Sequence, residues 1–159
     1  MKKQNLAQLS SEERIEKVFA WAAARCSLRE YCRTDIRQKC FERGLNREET
    51  ERVVERLEDA NFLDETRYAR AFVHDKTLYD RWGRIKTRQA LAVKGIPAAT
   101  IDDALAQIDD AAYRDALAAL LEAKARTLTE PSPQKRRDKL LRFAAQRGYE
   151  PDLIFSLLD

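Results

Sequence analysis

Apolar residues recur three and four positions apart along most of the chain, a spacing that predicts amphipathic helices rather than strands. The pattern is clearest in three segments, each of which follows a glycine. The predicted buried residues of these segments are Thr50, Val53, Val54 and Leu57; Ile101, Ala104, Leu105 and Ile108; and Ile154, Leu157 and Leu158. Three helices with matching apolar faces indicate an internal repeat.

The glycines themselves occur in three similar triplets, Arg43-Gly44-Leu45, Lys94-Gly95-Ile96 and Arg147-Gly148-Tyr149, which are 51 and 53 residues apart. Glycine is the usual left-handed residue at the end of a helix, and a basic residue just before it suits the negative end of the helix dipole. Each triplet therefore predicts the end of one helix and the start of the next.

A longer helix opens each repeat. The predicted N-terminal caps of the three long helices are Ser10, Asp64 and the Asp109-Asp110 pair, and Asn46 with Glu49 forms a capping box further along. The residues expected on the buried faces are Ile15, Val18, Phe19 and Ala22; Tyr68, Ala71, Phe72 and Leu78; and Tyr113, Leu117, Leu120 and Leu121. Ser132 is expected to cap a helix that follows the proline-containing loop 129–133.

These elements predict an all-α fold of three tandem three-helix repeats that form an elongated, curved array. The repeats are placed at residues 11–63, 64–108 and 109–159. Each has the order long helix, basic helix, glycine turn, acidic helix.

The composition agrees with this organisation and also indicates the cellular compartment of the protein. Charged residues make up 36% of the chain and glycine and proline only four each, which favours helix. No apolar run approaches the length of a membrane span, and the N-terminus does not lead into a signal-peptide core. Three cysteines give no disulfide framework. We therefore expect a cytoplasmic protein.

The middle helices carry most of the positive charge. Residues 81–94 contain five Lys or Arg and no acid, residues 124–147 contain eight against two acids, and residues 25–43 contain six against three. Stacked repeats can align such helices into a basic stripe that suits nucleic acid or an acidic groove. Solvated helix faces are the alternative interpretation of the same charges.

Candidate chemistry is sparse. His74 is alone, with no nucleophile or acid–base partner assigned to it, and is expected at the surface. Cys26, Cys32 and Cys40 lie too far apart for a zinc site and lack a fourth ligand, so packing is favoured over metal or redox roles. The sequence predicts no enzyme activity, metal site or cofactor.

No helix start carries the Asn, Gln and Arg grouping that reads DNA bases. Any direct DNA binding is therefore expected to be through the phosphate backbone and to weaken with salt. A stand-alone, sequence-nonspecific DNA-binding helical module is the alternative function that the residues leave open.

Two segments of the second repeat are distinctive: residues 61–76 (NFLDETRYARAFVHDK) and residues 82–91 (WGRIKTRQAL), which lead to Lys94-Gly95-Ile96. Together they resemble the RecX family of regulatory proteins. The resemblance implies binding to the recombinase RecA in the groove of its nucleoprotein filament. It also implies restraint of ATP hydrolysis, strand exchange and co-protease activity, and hence a role in DNA repair, recombination and the SOS response.

The third repeat matches the family's pattern only loosely, and the sequence departs from that pattern at three positions of the first and second repeats. Tyr31-Cys32 stands where a His or Arg followed by Ser is common, with Thr34 as an alternative cap for the next helix. Thr87 stands where an isoleucine or leucine is usual.

The expected partners are RecA and its DNA filament, contacted by a monomer through the basic helices of the second and third repeats. The acid-free segment 81–94 is the expected centre of that contact. The candidate binding residues are Arg67, Arg70, Lys76, Arg81, Arg84, Lys86, Arg88, Lys94, Lys135, Arg136, Arg137, Lys139 and Arg142.

Overall fold

A computed structural model of the chain describes residues 5–158, and these residues are helical apart from short connections. In this part of the chain, a single 3-10 turn at Leu6–Gln8 precedes nine α-helices. They are α1 Ser11–Cys26, α2 Arg33–Glu42, α3 Arg47–Asp59, α4 Glu65–Leu78, α5 Arg84–Val93, α6 Ala98–Leu105, α7 Asp110–Thr127, α8 Pro133–Gln146 and α9 Pro151–Leu158. No strand occurs within residues 5–158, so the all-α prediction is confirmed.

The helices form three successive groups of three, and the middle helix of each group ends at one of the repeated glycines. Gly44, Gly95 and Gly148 have φ values of 90°, 76° and 87°, the left-handed region that L side chains rarely adopt. The next amide in each turn donates back to the helix, as from Leu45 N to the Cys40 carbonyl oxygen at 3.1 Å. This is the Schellman arrangement, and it turns the following apolar residue into the core.

Side-chain caps fix where the helices begin. Ser10, Asn46, Asp109 and Ser132 each accept a hydrogen bond from an amide in the first turn of the helix that follows, as predicted. The N-cap of α2 is Cys32, whose amide donates to Asp35 Oδ2 at 3.4 Å. Thr34 therefore lies inside the helix, and its assignment as the alternative cap was wrong.

The chain divides after Tyr68 into two compact units. In the first, α1 and α2 both contact α3, and Cys32, Glu49 and Thr50 are buried in addition to the hydrophobic core. Its buried residues are Ile15, Val18, Ala22, Ala23, Cys26, Tyr31, Ile36, Cys40, Leu45, Val53, Val54, Leu57 and Leu63.

In the second unit, α5 contacts α6, while α7, α8 and α9 all contact one another. The core of the last three helices contains Tyr113, Leu117, Leu121, Leu140, Ala144, Tyr149 and Ile154. Leu91, Ile96 and Ile101 are buried in the preceding repeat.

The buried face of α4 differs from the expected one. Tyr68, Ala69, Val73 and Thr77 are buried, whereas the side chain of Leu78 is 50% exposed. Ala69, Val73 and Thr77 are spaced four residues apart and share one face of the helix. Leu78 directly follows Thr77, so its side chain is rotated away from that face by about 100°. The Thr77 hydroxyl donates to the Val73 carbonyl oxygen at 2.7 Å, which satisfies this polar group inside the helix.

Candidate partner-binding surface

Several of the candidate binding residues are held by partners within their own compact unit. In the first unit, Arg67 Nε donates to Glu30 Oε1 at 2.7 Å, and its guanidinium also bonds the Asn61 and Phe62 carbonyl oxygens. In the second unit, Arg136 donates to the carbonyl oxygens of Leu128 and Ala125. Both arginines therefore stabilise the conformation of nearby backbone segments.

Arg84 joins the second and third repeats inside the second unit. Its Nη1 lies 3.0 Å from Glu150 Oε2, its Nη2 contacts Asp110 Oδ1, and its guanidinium lies 4.0 Å from the centre of the Tyr113 ring. The Tyr113 hydroxyl accepts from the Arg84 amide and donates to Glu150. Burial raises the pKa of Tyr113, so the hydroxyl stays protonated and able to donate.

A backbone contact lies next to this network. The Gly83 amide donates to the Arg147 carbonyl oxygen at 2.7 Å, and the Ile85 amide donates to the Gly148 carbonyl oxygen at 3.0 Å. A Cβ atom on Gly83 would lie 2.2 Å from the Gly148 oxygen. The sequence showed Gly83 only as a lone glycine, because its partner is 65 residues away.

Three further candidate cations have a carboxylate partner. Arg88 pairs with Asp102, Lys76 lies 2.8 Å from Asp80 Oδ2, and Lys139 lies 3.5 Å from Glu130 Oε2. These pairs are partly or largely exposed, so solvent screens them and each adds little stability.

Trp82 is surrounded by positive charge. Lys76 Nζ and Lys86 Nζ lie 4.6 Å and 4.3 Å from the centre of its ring, which also packs edge-on against Phe72. Arg147, which the candidate set omitted, donates to the Asp80 carbonyl oxygen at 3.0 Å and so lies beside the same turn. We call Lys76, Arg81, Lys86 and Arg147 the Trp82 surface.

Arg81 has the most unusual backbone of this group. It is exposed and has a φ of 56°, a left-handed conformation that costs a residue with a side chain about 1 kcal/mol or more. Neither an ion pair nor a hydrogen bond to its side chain occurs within residues 5–158. Strain of this kind is concentrated at functional positions.

The remaining candidates are spread over α4, α5 and α8. Arg70, Lys135 and Arg142 are exposed, Lys94 forms the C-cap of α5, and Arg137 lies 5.5 Å from the centre of the Phe155 ring. The second unit therefore brings Lys76, Arg81 and Lys86 together around Trp82, and leaves the other three exposed cations outside that group.

The segments of this chain that match known protein families coincide with its second and third repeats. The profile of the second three-helix domain of RecX matches residues 64–105, and that of the third three-helix domain matches residues 112–158. The regulatory protein RecX of Prosthecochloris aestuarii is 32% identical over 149 residues, which cover 94% of this chain and 96% of that protein. The chain belongs to the RecX family.

Two further relatives extend the comparison. The RecX regulatory protein of a Clostridium botulinum strain is 31% identical over 75% of this chain, and the match spans 56% of that longer protein. The crystal structure of RecX from Lactobacillus salivarius superposes with a TM-score of 0.82 over 92% of this chain and 96% of that one. At 19% identity, the structural likeness shows the shared three-helix-repeat fold.

The cysteines of this RecX family member lie in its core. Cys26, Cys32 and Cys40 are free thiols and buried. Desolvation by burial raises the pKa of Cys40 to about 11 and also raises that of Cys26. A protonated, buried thiol is a poor nucleophile and metal ligand, and no metal-binding group of three or more His, Cys, Asp or Glu occurs among residues 5–158.

His74 lies at the rim of an apolar groove in the second unit. The groove has a volume of about 420 Å³ and is lined by Val73, Thr77, Leu78, Ile108 and Ala112, among others. The His74 side chain is 60% exposed and contacts Asp75 and the Tyr79 ring. The Thr77 and Tyr113 hydroxyls also line the groove, and they donate to the Val73 carbonyl oxygen and to Glu150. No helix within residues 5–158 is long and apolar enough to span a membrane.

Proposed function

We propose that this RecX family member binds RecA and its nucleoprotein filament, lies in the filament groove, and mainly inhibits ATP hydrolysis, strand exchange and co-protease activity. This places it with RecA in the cytoplasm, in DNA repair, recombination and the SOS response. The observation that carries the proposal is the 32% identity to a RecX regulatory protein over 94% of the chain. The family resemblance supplies the partner.

The charge distribution of the second unit supports a contact with an acidic partner. Of the cations on the Trp82 surface, Arg81 and Lys86 have no carboxylate partner within residues 5–158. Lys86 is oriented by its ring contact with Trp82. Cations that are not neutralised internally remain available to steer association and contact an acidic groove. We propose the Trp82 surface as the centre of the contact, with Arg70, Lys135 and Arg142 contributing at its margins.

Co-sedimentation with RecA filaments on single-stranded DNA tests this proposal. The double variant Arg81→Gly and Lys86→Gln is expected to bind filaments about tenfold more weakly, since each exposed contact is worth up to about 1 kcal/mol. Arg88→Gln is the matched control on the same helix, because Asp102 already neutralises Arg88. We expect the control to bind filaments as the wild type does.

The variant Arg81→Gly separates binding from folding. Glycine relieves the left-handed strain at this position, so the free energy of unfolding is expected to stay constant or rise by up to about 1 kcal/mol while filament binding falls. Wild-type protein that fails to sediment with filaments at low salt would exclude the proposed function. Equal binding by the double variant would exclude the Trp82 surface as its site.

The alternative of a stand-alone DNA-binding module is tested in the same experiment without RecA. It requires tight binding to bare DNA that falls steeply with salt. Filament binding that persists at a salt concentration where bare DNA is released would reject it.

A further inference from the structure

Ten of the twelve Lys and Arg residues at positions 5–68 form two distinct sets. Six arginines have a carboxylate oxygen within 2.8 Å, and these pairs join helices to one another or to their connections. They are Arg14, Arg33, Arg37, Arg52, Arg56 and Arg67. Their charge is neutralised inside the unit, and they serve its stability.

The second set lies over two aromatic rings instead. The guanidinium carbons of Arg43 and Arg25 lie 3.6 Å and 5.1 Å from the centre of the Trp21 ring. That of Arg29 lies 4.5 Å from the centre of the Tyr31 ring. Lys39 Nζ lies 6.0 Å from the Trp21 ring centre and 5.5 Å from the Tyr31 ring centre. We call these four residues the cation row; Lys39 makes it continuous because it reaches both rings.

No carboxylate within residues 5–158 pairs with a member of the cation row. The neighbouring acids point to other partners: Glu30 pairs with Arg67, and Glu42 accepts from Gln38 Nε2 at 3.0 Å. The row is therefore a patch of positive charge that no carboxylate neutralises. The arginines of the first set, by contrast, are each paired with a carboxylate.

The rings give the patch a fixed geometry. Tyr31 is 7% exposed, and Trp21 is half-buried against the core of the first unit. A guanidinium held over an anchored ring loses less side-chain freedom on binding than a free one, and its N–H groups can form two parallel hydrogen bonds to an anion. Such an arrangement is organised before the partner arrives.

The equivalent positions of the second repeat lack this feature. Phe72 and Lys76 precede Gly95 by 23 and 19 residues, the same offsets by which Trp21 and Arg25 precede Gly44. Lys76 also lies over Phe72, at 5.5 Å, but its charge is neutralised by Asp80 at 2.8 Å. The second repeat thus has the ring and the cation but neutralises the cation, and in the third repeat the equivalent positions are Ala125 and Thr129. There, Lys124 and Arg147 lie over a single ring, Phe143, at 5.0 Å and 5.2 Å.

We propose that Arg25, Arg29, Lys39 and Arg43, aligned on Trp21 and Tyr31, bind the phosphodiester backbone of a nucleic-acid strand. A row of several cations can bind a polymer that carries one negative charge per unit at several points, whereas a single carboxylate would contact only one or two of the cations. Because the proposed contacts are to phosphate oxygens, which are the same for every base, we expect binding that is independent of sequence. This site is separate from the Trp82 surface and does not depend on the proposed action on RecA.

The test measures binding of the full chain to a fluorescent single-stranded oligonucleotide and to a duplex of the same length, across a salt titration. The row variant changes Arg25, Arg29, Lys39 and Arg43 to Gln. The matched control changes Arg37, Arg47, Arg52 and Arg56 to Gln, which removes the same number of charges from elsewhere in the first unit. Thermal melting followed by circular dichroism verifies that both variants are folded.

The row variant is expected to bind at least tenfold more weakly than the control at low salt. Its slope of log affinity against log salt should be shallower by about 3 for the single strand, since each lost phosphate contact removes about 0.7. In a Trp82→Phe background, the fluorescence of Trp21 should change on binding. A preference for strand or duplex identifies which form of the backbone is bound.

Equal affinities and slopes for the row variant and the control would overturn the proposal. So would polyglutamate that competes as well as an oligonucleotide of equal charge, because the row would then bind acidic polypeptides in general. A row variant that loses oligonucleotide binding while still slowing RecA would support the site and show that it is distinct from RecA regulation.

Discussion

Glu49 shows how a single side chain can cap the start of one helix and join that helix to another. It is 3% exposed, and its carboxylate accepts from the Asn46 amide at 3.0 Å, from Ser11 Oγ at 2.7 Å and from Arg14 Nε at 3.0 Å. The capping box of α3 is thus also a link to α1. Hydrogen bonds from the Asn46 amide, Ser11 and Arg14 lower the pKa of Glu49 despite its burial.

Glu49→Gln is expected to lower the free energy of unfolding by about 2 kcal/mol at pH 7, because the partly buried Arg14 loses its counter-charge. Urea denaturation measures this change. Glu51→Gln is the matched control, since Glu51 pairs with Arg37 on the exposed surface and its loss is expected to cost less than about 1 kcal/mol.

The effect of Glu49 also has a defined pH dependence. Its pKa is lower in the folded than in the unfolded chain, so its contribution to stability is complete above the unfolded value of about 4.3 and is lost as the pH falls through the folded value. The difference in unfolding free energy between wild type and Glu49→Gln should therefore shrink below about pH 4. A constant difference down to pH 3 would contradict this role.

At the scale of helices and turns, the repeated glycines are equal in conformation but not in surroundings. Gly44 and Gly148 have nearly the same φ, yet a Cβ on Gly44 would meet nothing within 4 Å, whereas one on Gly148 would lie 2.2 Å from Lys86 Cβ. The first turn is open, while the third is packed against the start of α5.

Gly44→Ala is expected to cost about 1–2 kcal/mol, the strain of a left-handed alanine alone. Gly148→Ala should cost at least about 3 kcal/mol, since the added methyl group also forces α5 away from the turn. Thermal or urea unfolding of the two variants compares these values directly. Equal losses would show that the contact between Gly148 and α5 contributes nothing.

The two arginines of α5 should likewise differ. Arg84→Gln is expected to lower the free energy of unfolding by about 2 kcal/mol, because it removes the cation that pairs with Glu150 and Asp110 and lies over the Tyr113 ring. Arg88→Gln removes a half-exposed pair and should cost less than about 1 kcal/mol. Urea titrations measure both, and a larger loss for Arg88→Gln would contradict the assigned roles.

The helices and turns could be predicted because their causes are local. Caps such as Ser10 and Asn46, and the glycine that ends each middle helix, act within a few residues of the sequence. Partners far along the chain are not visible in this way: Arg84 and Arg88 look alike in sequence, and only the fold brings Glu150 to one and Asp102 to the other. The cation row is hidden for the same reason, since the acids near it in sequence pair elsewhere.

At the scale of the whole chain, two compact units carry three repeats, and each unit displays its own group of cations beside a tryptophan. The first group is the cation row at Trp21, and the second is the Trp82 surface. Within residues 5–158, the whole of the first group lacks a carboxylate partner, whereas Lys76 of the second pairs with Asp80. We propose that the three repeats at residues 11–63, 64–108 and 109–159 are the units of function as well as of sequence. The first would then contact nucleic acid, and the second, together with Arg147 of the third, would contact RecA.

Regulation of RecA is tested most directly by the rate of RecA ATP hydrolysis on single-stranded DNA during titration with this protein. We predict that turnover slows at a ratio of well under one chain per RecA subunit, and that Arg81→Gly with Lys86→Gln requires about ten times more protein for the same effect. An unchanged rate of ATP hydrolysis over a broad titration, with folded protein and intact filaments, would contradict the proposed function.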